Sequence, residues 1–230
     1  PIYWFAFMIQ FFSVLANLTA LKIAAYVLGF PPILFIACAC VVVISYAWWG
    51  GLKASIETDL LQFAIWMILL LAALLLSKGR DGEVVLVSGN IGWASWGALT
   101  LIAAPFLDQQ LWQRRFALKK DSLKSFGIGS LCFAVYMVLV AMAAFYRVGG
   151  VVIGLVILMV AMSTLDSAFM AVACYAKGTH ALGRCLALVV FAVAFLFLLL
   201  DIGLLELWTF YSSLRLPVAA YVIYRIAIKK

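Results

Sequence analysis

The chain has 230 residues, of which 68% are hydrophobic and only 11% are charged. A soluble domain is about half apolar and about a quarter charged, so this composition excludes an ordinary soluble protein. It predicts an all-α polytopic membrane protein, because a helix satisfies its own backbone hydrogen bonds in lipid. The net charge of +7 does not indicate a nucleic-acid partner, since the basic residues lie in short loops between apolar stretches.

Eight apolar stretches predict about eight membrane-spanning helices. In chain order they cover residues 1–28, 32–49, 54–76, 91–107, 126–146, 151–176, 182–200 and 204–227. With eight alternating spans, eleven of the 16 Lys and Arg residues lie on one side of the membrane and three on the other, while Lys22 and Arg215 lie within spans. The positive-inside rule therefore predicts that both termini of the chain are cytoplasmic. We expect one transmembrane domain over residues 1–230, in the plasma (inner) membrane.

The sixth stretch is interrupted by the polar segment MSTLDS at residues 162–167. An Asp near the bilayer centre costs about 2.5–3.5 kcal/mol, so Asp166 is expected to face protein, water or an ion rather than lipid. Ser163 and Ser167 share its helix face, and Thr164 lies one turn from Ser167. These oxygens, with a backbone carbonyl where the helix loosens, favour a small cation such as Na⁺. Alternatively, the hydroxyls only bond the carbonyl one turn back.

A second polar segment, GGLKASIETDLLQ at residues 50–62, opens the third stretch. Glu57 is explained by its place in the first turns, where acids complement the helix dipole and reach interfacial water. Asp59 lies deeper, with Thr58 and Gln62 nearby, and is either a buried functional carboxylate or a second shallow acid. If Asp59 and Asp166 are neighbours in space, they share one ion path, because intramembrane acids are usually paired or bind cations.

Three segments resemble motifs of the sodium/solute symporter family, in that family's order. GGLKASIETDLLQ resembles its Gly-Gly turn and Thr-Asp helix, DQQLWQRRFALKK at 108–120 its basic cytoplasmic segment, and MSTLDS its sodium-site helix. The resemblance implies a five-plus-five inverted-repeat transporter core with alternating access, in which these spans resemble core helices three to ten. Since the first two core helices are missing and the chain begins at Pro1, we expect a piece of a longer protein.

The resemblance also implies binding residues. For one sodium site they are Val160, through its carbonyl, Ser163 and Thr164. For a second site they are Asp59, Asp166 and Ser167. Expected solute contacts are Asn17 on the first span and Trp93, Ser95, Trp96 and Thr100 on the fourth, although Trp at a span entrance is also explained as an interfacial anchor.

The function expected from the resemblance is Na⁺-coupled symport of a small polar solute, with Na⁺ as the coupling ion and no other metal or cofactor. Two alternatives stay open: a symporter-like membrane sensor domain of a signalling protein, and a proton-coupled transporter that uses Asp59 and Asp166. No enzymatic activity is expected, because the sequence contains no HExxH, no Ser/His/Asp set and no phosphate-binding loop. The lone His180 lies in a basic loop.

Overall fold

The computed structural model describes residues 2–76, 92, 95–96, 122–145, 148–176 and 179–228. These residues form six α-helices and one short 3-10 helix, and they contain no β-strand. The helices are α1 (Ile2–Leu28), α2 (Pro32–Leu76), α3 (Ser122–Phe145), α4 (Gly150–Ala173), α5 (His180–Phe197), a 3-10 turn (Leu198–Leu200) and α6 (Leu204–Ile228). The predicted all-α class is confirmed for this part of the chain.

Within the residues that the structure describes, four helical segments are long and apolar enough to cross a membrane. They are Trp4–Leu28, Pro32–Leu76, Gly150–Ala173 and His180–Leu200. Large apolar side chains also face outward, among them Trp4, Trp49 and Leu75, each at least 74% exposed. Such exposure is unfavourable in water and favourable against lipid. Both features are those of a protein embedded in a membrane.

The predicted spans coincide with helices in most of the described chain. The spans at 1–28, 151–176, 182–200 and 204–227 match α1, α4, α5 with its 3-10 turn, and α6, with ends that agree within three residues. The span at 126–146 matches α3, which begins four residues earlier, and the span at 91–107 lies outside the described residues except for three helical positions. α3 contains only a shorter apolar segment, Gly127–Val140. The number of crossings therefore stays a prediction.

Helix α2 is interrupted at Gly51, whose backbone torsions are φ 59° and ψ −151°. Glycine adopts these torsions readily, whereas a residue with a Cβ atom would be strained in this backbone conformation. A straight helix of 45 residues would be about 68 Å long, more than twice the roughly 30 Å hydrocarbon core of a bilayer. The interruption divides α2 into residues 32–50 and 52–76, which correspond to the second and third predicted spans.

The chain forms two compact units. Unit 1 comprises Pro1–Thr19, Val87–Arg114 and Thr164–Lys230, and unit 2 comprises Ala20–Leu86 and Arg115–Ser163. α1 changes unit after Thr19 and α4 changes unit after Ser163, so each of these helices contributes to both.

The core of unit 2 is an apolar cluster between α2, α3 and α4. Its buried members are Trp66, Leu70, Tyr136, Ala143 and Val156. The ring of Trp66 lies edge-on to that of Tyr136, with centroids 3.7 Å apart. Trp66 lies one turn beyond Gln62 and two turns beyond Asp59, so the three side chains share one face of α2. The contact between Trp66 and Tyr136 therefore orients this face toward the interior of the unit.

The core of unit 1 joins α1 to α6 and α4 to α5. Ile9 of α1 packs against Tyr211 and Ala219 of α6. The rings of Phe169 and Phe191 meet edge-on, with centroids 5.8 Å apart. Nearby, α5 approaches the backbone of α4 where Gly183 lies against Ala173, as small residues allow between membrane helices.

Replacement of Gly183 by Ala is expected to lower the free energy of unfolding by about 1–3 kcal/mol. A Cβ atom at Gly183 would clash with the backbone carbonyl of Ala173, which cannot rotate away as a side chain can. The measurement is the melting temperature of the purified protein in detergent. Gly127→Ala on α3 is the matched control, since nothing lies within 4 Å of a Cβ atom there. Equal melting temperatures for the two variants would contradict the close approach of α5 to α4.

Candidate functional site

Two predicted sodium ligands, 104 residues apart in the chain, meet in unit 2. The hydroxyl of Ser163 on α4 donates a hydrogen bond to Oδ1 of Asp59 on α2. Asp59 lies on the second half of α2, in the third turn after the interruption at Gly51, and both side chains are half-buried. The two helices therefore present a carboxylate and a hydroxyl to each other inside one compact unit.

Two further side-chain oxygens lie on the Asp59 face of α2. Ser55 is four residues before Asp59 and Gln62 three residues after it, so the three share one stripe of the helix. Ser55 is fully buried and Gln62 is 9% exposed. Neither the Ser55 hydroxyl nor Oε1 of Gln62 has a hydrogen-bond partner among the described residues. A buried polar atom without a partner costs about 1–3 kcal/mol, so a polar ligand on this stripe would be stabilised by these two oxygens.

The chemistry of the Asp59 and Ser163 pair suits a small cation. A hydroxyl that gives its hydrogen to a carboxylate keeps its two lone pairs for another partner. The carboxylate offers about four lone-pair positions, of which Ser163 takes one. Oxygen atoms of this kind are the ligands that hard cations prefer. The pair can thus bind a cation without breaking its own hydrogen bond.

The neighbours of Asp59 on α2 do not extend the site. The Thr58 hydroxyl donates to the carbonyls of Ala54, at 2.9 Å, and Ser55, at 3.0 Å, on its own helix. The side chain of Glu57 is 67% exposed and lies 3.8 Å from that of Lys53. Glu57 is therefore exposed on the surface of α2, whereas Asp59 faces α4.

A second carboxylate and hydroxyl pair lies in unit 1. Asp166 has no exposed surface, so it faces protein rather than lipid, as its apolar surroundings in the sequence predict. The Ser167 hydroxyl donates to Oδ1 of Asp166 at 3.1 Å. Because neighbouring residues on a helix point about 100° apart, this bond ties the two side chains together on the interior face of α4.

Helix α4 is regular through the predicted sodium residues. No residue between Gly150 and Ala173 leaves helical geometry, so the carbonyl of Val160 lies in the i to i+4 ladder that Thr164 closes. The expectation that the helix loosens here is wrong for this structure. A carbonyl oxygen has two lone pairs, so one that accepts a hydrogen bond within a helix can also contact a cation. Thr164 and Val160 are both half-buried.

The structure describes three of the five residues predicted to contact the solute. The Asn17 amide donates to the Ser13 carbonyl of its own helix at 2.7 Å. Ser95 is helical and exposed. Trp96 lies edge-on to Trp208 of α6 within unit 1, with ring centroids 5.4 Å apart. Trp93 and Thr100 lie outside the described residues.

Sequence reasoning assigned no role to four residues that the structure marks. Ser55 and Gln62 join the Asp59 stripe, and Ser212 and Arg215 are buried on α6. The signal for the first two was present in the spacing, because positions 55, 59 and 62 fall on one helix face. Arg215 stood out only as a charge within an apolar span.

Comparison of the chain with protein-family models, with curated proteins and with solved structures finds no match.

Proposed function

We propose that this chain is part of a secondary transporter that couples Na⁺ entry to the uptake of a small polar solute by alternating access. The observation that supports the proposal is the hydrogen bond from Ser163 to Asp59. It joins the helix that resembles the family's Thr-Asp motif to the helix that resembles its sodium-site motif. Two motifs chosen for their sequence alone therefore contact each other through one residue from each of the two sodium sites that the resemblance implies.

In unit 2 the proposed Na⁺ ligands are the Asp59 carboxylate, the Ser163 hydroxyl and the Val160 carbonyl. Gln62 and Ser55 supply buried oxygens on the same face of α2 as Asp59. One negative charge matches a monovalent ion, whereas Ca²⁺ sites usually hold several carboxylates. Thr164, Asp166 and Ser167 stay predictions from the resemblance, and they lie in unit 1.

The proposed architecture has eight crossings that form core helices three to ten of a five-plus-five inverted repeat. Two halves of α2, at residues 32–50 and 52–76, each have a length suited to one crossing. We place the protein in the plasma (inner) membrane with both termini of the chain cytoplasmic, on the basis of the basic loops. We propose no enzymatic activity and no cofactor besides the coupling ion.

The test is the melting temperature of the intact protein in detergent, titrated with NaCl against KCl at constant ionic strength. Na⁺ at about 100 times its dissociation constant stabilises a single-site protein by about 2.7 kcal/mol. We expect a rise in melting temperature that is specific for Na⁺ in the wild type and strongly reduced in Ser163→Ala. Thr164→Ala is expected to act in the same direction.

Ser213→Ala is the matched control. Ser213 lies on α6, is exposed, and donates its hydroxyl to the Thr209 carbonyl of its own helix at 2.8 Å. The control variant should therefore keep the full Na⁺ response. A wild type that responds equally to Na⁺ and K⁺ would overturn sodium coupling and favour the proton-coupled transporter or the sensor.

A further inference from the structure

The centre of α6 holds a buried cation in unit 1. Arg215 is the twelfth of the 25 residues of α6 and is only 8% exposed. Its guanidinium carbon lies 4.0 Å from the centroid of the Tyr211 ring, a cation–π contact within the protein. The sequence predicts that α6 spans the membrane, and ionisable groups near the centre of such helices are costly and commonly mark the path of a substrate or an ion.

A buried hydroxyl lies beside this cation. Ser212 is three residues before Arg215, so the two side chains share one face of α6. Ser212 is 1% exposed, and its hydroxyl has no hydrogen-bond partner among the described residues. A guanidinium has five N–H donors in a planar fork, which is the geometry that binds both oxygens of a carboxylate.

The same face of α6 continues into aromatic side chains. Trp208 lies two turns before Arg215, and Trp96 meets its ring edge-on. Trp96 is also one of the solute contacts expected from the sequence. A polar end formed by Arg215 and Ser212 and an aromatic end formed by the tryptophans would suit a small acid with an apolar body.

The helix is weakened at this point. Pro217 lies inside α6, two residues after Arg215. Proline has no backbone N–H, so the carbonyl of Ser213 lacks its usual partner four residues on. Membrane transporters place solute sites where helices lose backbone hydrogen bonds, because the loss permits local movement and leaves polar groups for the solute.

We propose that the transported solute is a small monocarboxylate whose carboxylate binds Arg215 and Ser212 on α6. This inference rests on the proposed transport function, since it assigns the solute class that such a transporter carries. Both side chains are buried, so the solute would reach them in another conformation of the transport cycle, as alternating access requires. The proposed Na⁺ ligands Asp59 and Ser163 belong to unit 2. Substitutions can therefore be made in one site without changing a residue of the other.

The experiment measures the melting temperature of the intact protein with acetate, propionate or benzoate, each against its uncharged primary amide. All samples contain the same Na⁺ concentration, and chloride replaces the carboxylate in a third arm. We expect at least one carboxylate to raise the melting temperature by about 3 °C or more above its amide. Arg215→Gln should lose this difference, whereas Arg225→Gln, at an exposed arginine of the same helix, should keep it.

A second variant covers the case in which Arg215→Gln does not fold. Ser212→Ala removes one hydroxyl and is expected to raise the apparent dissociation constant of the carboxylate about 3- to 10-fold. The proposal is wrong if no carboxylate raises the melting temperature of the wild type above the value with its amide. It is also wrong if this difference is unchanged in Ser212→Ala, or in Arg215→Gln where that variant folds. An equal response to chloride would also overturn it, since the site would then bind any anion.

The Na⁺ titration separates this failure from failure of the transport proposal. A Na⁺-specific response that needs Ser163, without discrimination between acid and amide, rejects the carboxylate site alone. Carboxylate binding that needs Arg215, without any Na⁺-specific response, supports the solute site and rejects sodium coupling.

Discussion

Replacement of Asp59 by Asn is expected to abolish the Na⁺-specific rise in melting temperature. The substitution keeps the size of the side chain and an oxygen that accepts the hydrogen of Ser163, but it removes the negative charge that balances the ion. Without that charge the remaining ligands of unit 2 are neutral oxygens. The full stabilisation, about 2.7 kcal/mol at 100 times the wild-type dissociation constant, should therefore disappear. NaCl and KCl titrations of the intact variant measure it.

Glu57→Gln provides the control for the loss of one negative charge on the same helix. Glu57 is two residues from Asp59, but its side chain is 67% exposed and lies near Lys53. Exposed pairs of this kind contribute between zero and about 1 kcal/mol, so the variant should fold normally and respond to Na⁺ like the wild type. An Asp59→Asn variant that keeps the Na⁺ response, or a Glu57→Gln variant that loses it, would place the ion elsewhere.

The contact itself can be measured by combining Asp59→Asn with Ser163→Ala. In K⁺ medium, without the coupling ion, the two changes should be non-additive by about 1–2 kcal/mol, since Asp59→Asn weakens the hydrogen bond that Ser163→Ala removes. Glu57→Gln combined with Ser163→Ala should be additive, because an exposed side chain does not reach Ser163. Additivity in both pairs would mean that α2 and α4 do not meet at these residues.

Replacement of Gly51 by Ala is expected to destabilise the protein by about 1–3 kcal/mol. At φ 59° and ψ −151° an added Cβ atom strains the backbone, even though open space surrounds it. The strain would favour a continuous α2, and Asp59 would then lose its position opposite Ser163. For a chain of this size the apparent melting temperature should fall by about 2–4 °C for each kcal/mol lost.

Gly129→Ala on α3 tests whether the loss at position 51 comes from the backbone conformation. Gly129 is helical, and a Cβ atom there also meets open space, so alanine should be neutral or slightly stabilising. If both alanine variants melt alike, the interruption of α2 at Gly51 is not a required feature of the fold. A fall only in Gly51→Ala, with a weakened Na⁺ response, would link the interruption to the ion site.

Helix positions were largely predictable, because apolar stretches and their ends are local properties of the chain. α1 and α4 to α6 begin and end within three residues of the predicted spans, and Asp166 is buried as its surroundings require. The sequence predicts an interruption at Gly50 and Gly51 before the third span, and the structure has it at Gly51. Its conformation, with positive φ at Gly51, follows from the permissiveness of glycine, which is also local.

The state of α4 at its polar segment was not predictable in the same way. The sequence allowed a loosened helix at MSTLDS, but the structure keeps the ladder intact from Gly150 to Ala173. Apolar neighbours on both sides make an open backbone costly, so the helix closes. A polar segment alone therefore did not determine whether backbone carbonyls become available.

By itself, the sequence determined that this is a helical, membrane-type chain and where most of its helices lie, because hydropathy and helical period act over a few turns. Only the tertiary structure decided which polar residues meet. Ser163 reaches Asp59 across 104 residues, and α5 lies against the Ala173 backbone at Gly183. Such pairings depend on how whole helices pack, since every side chain on a buried face must fit its neighbours at once, and no local pattern contains that information.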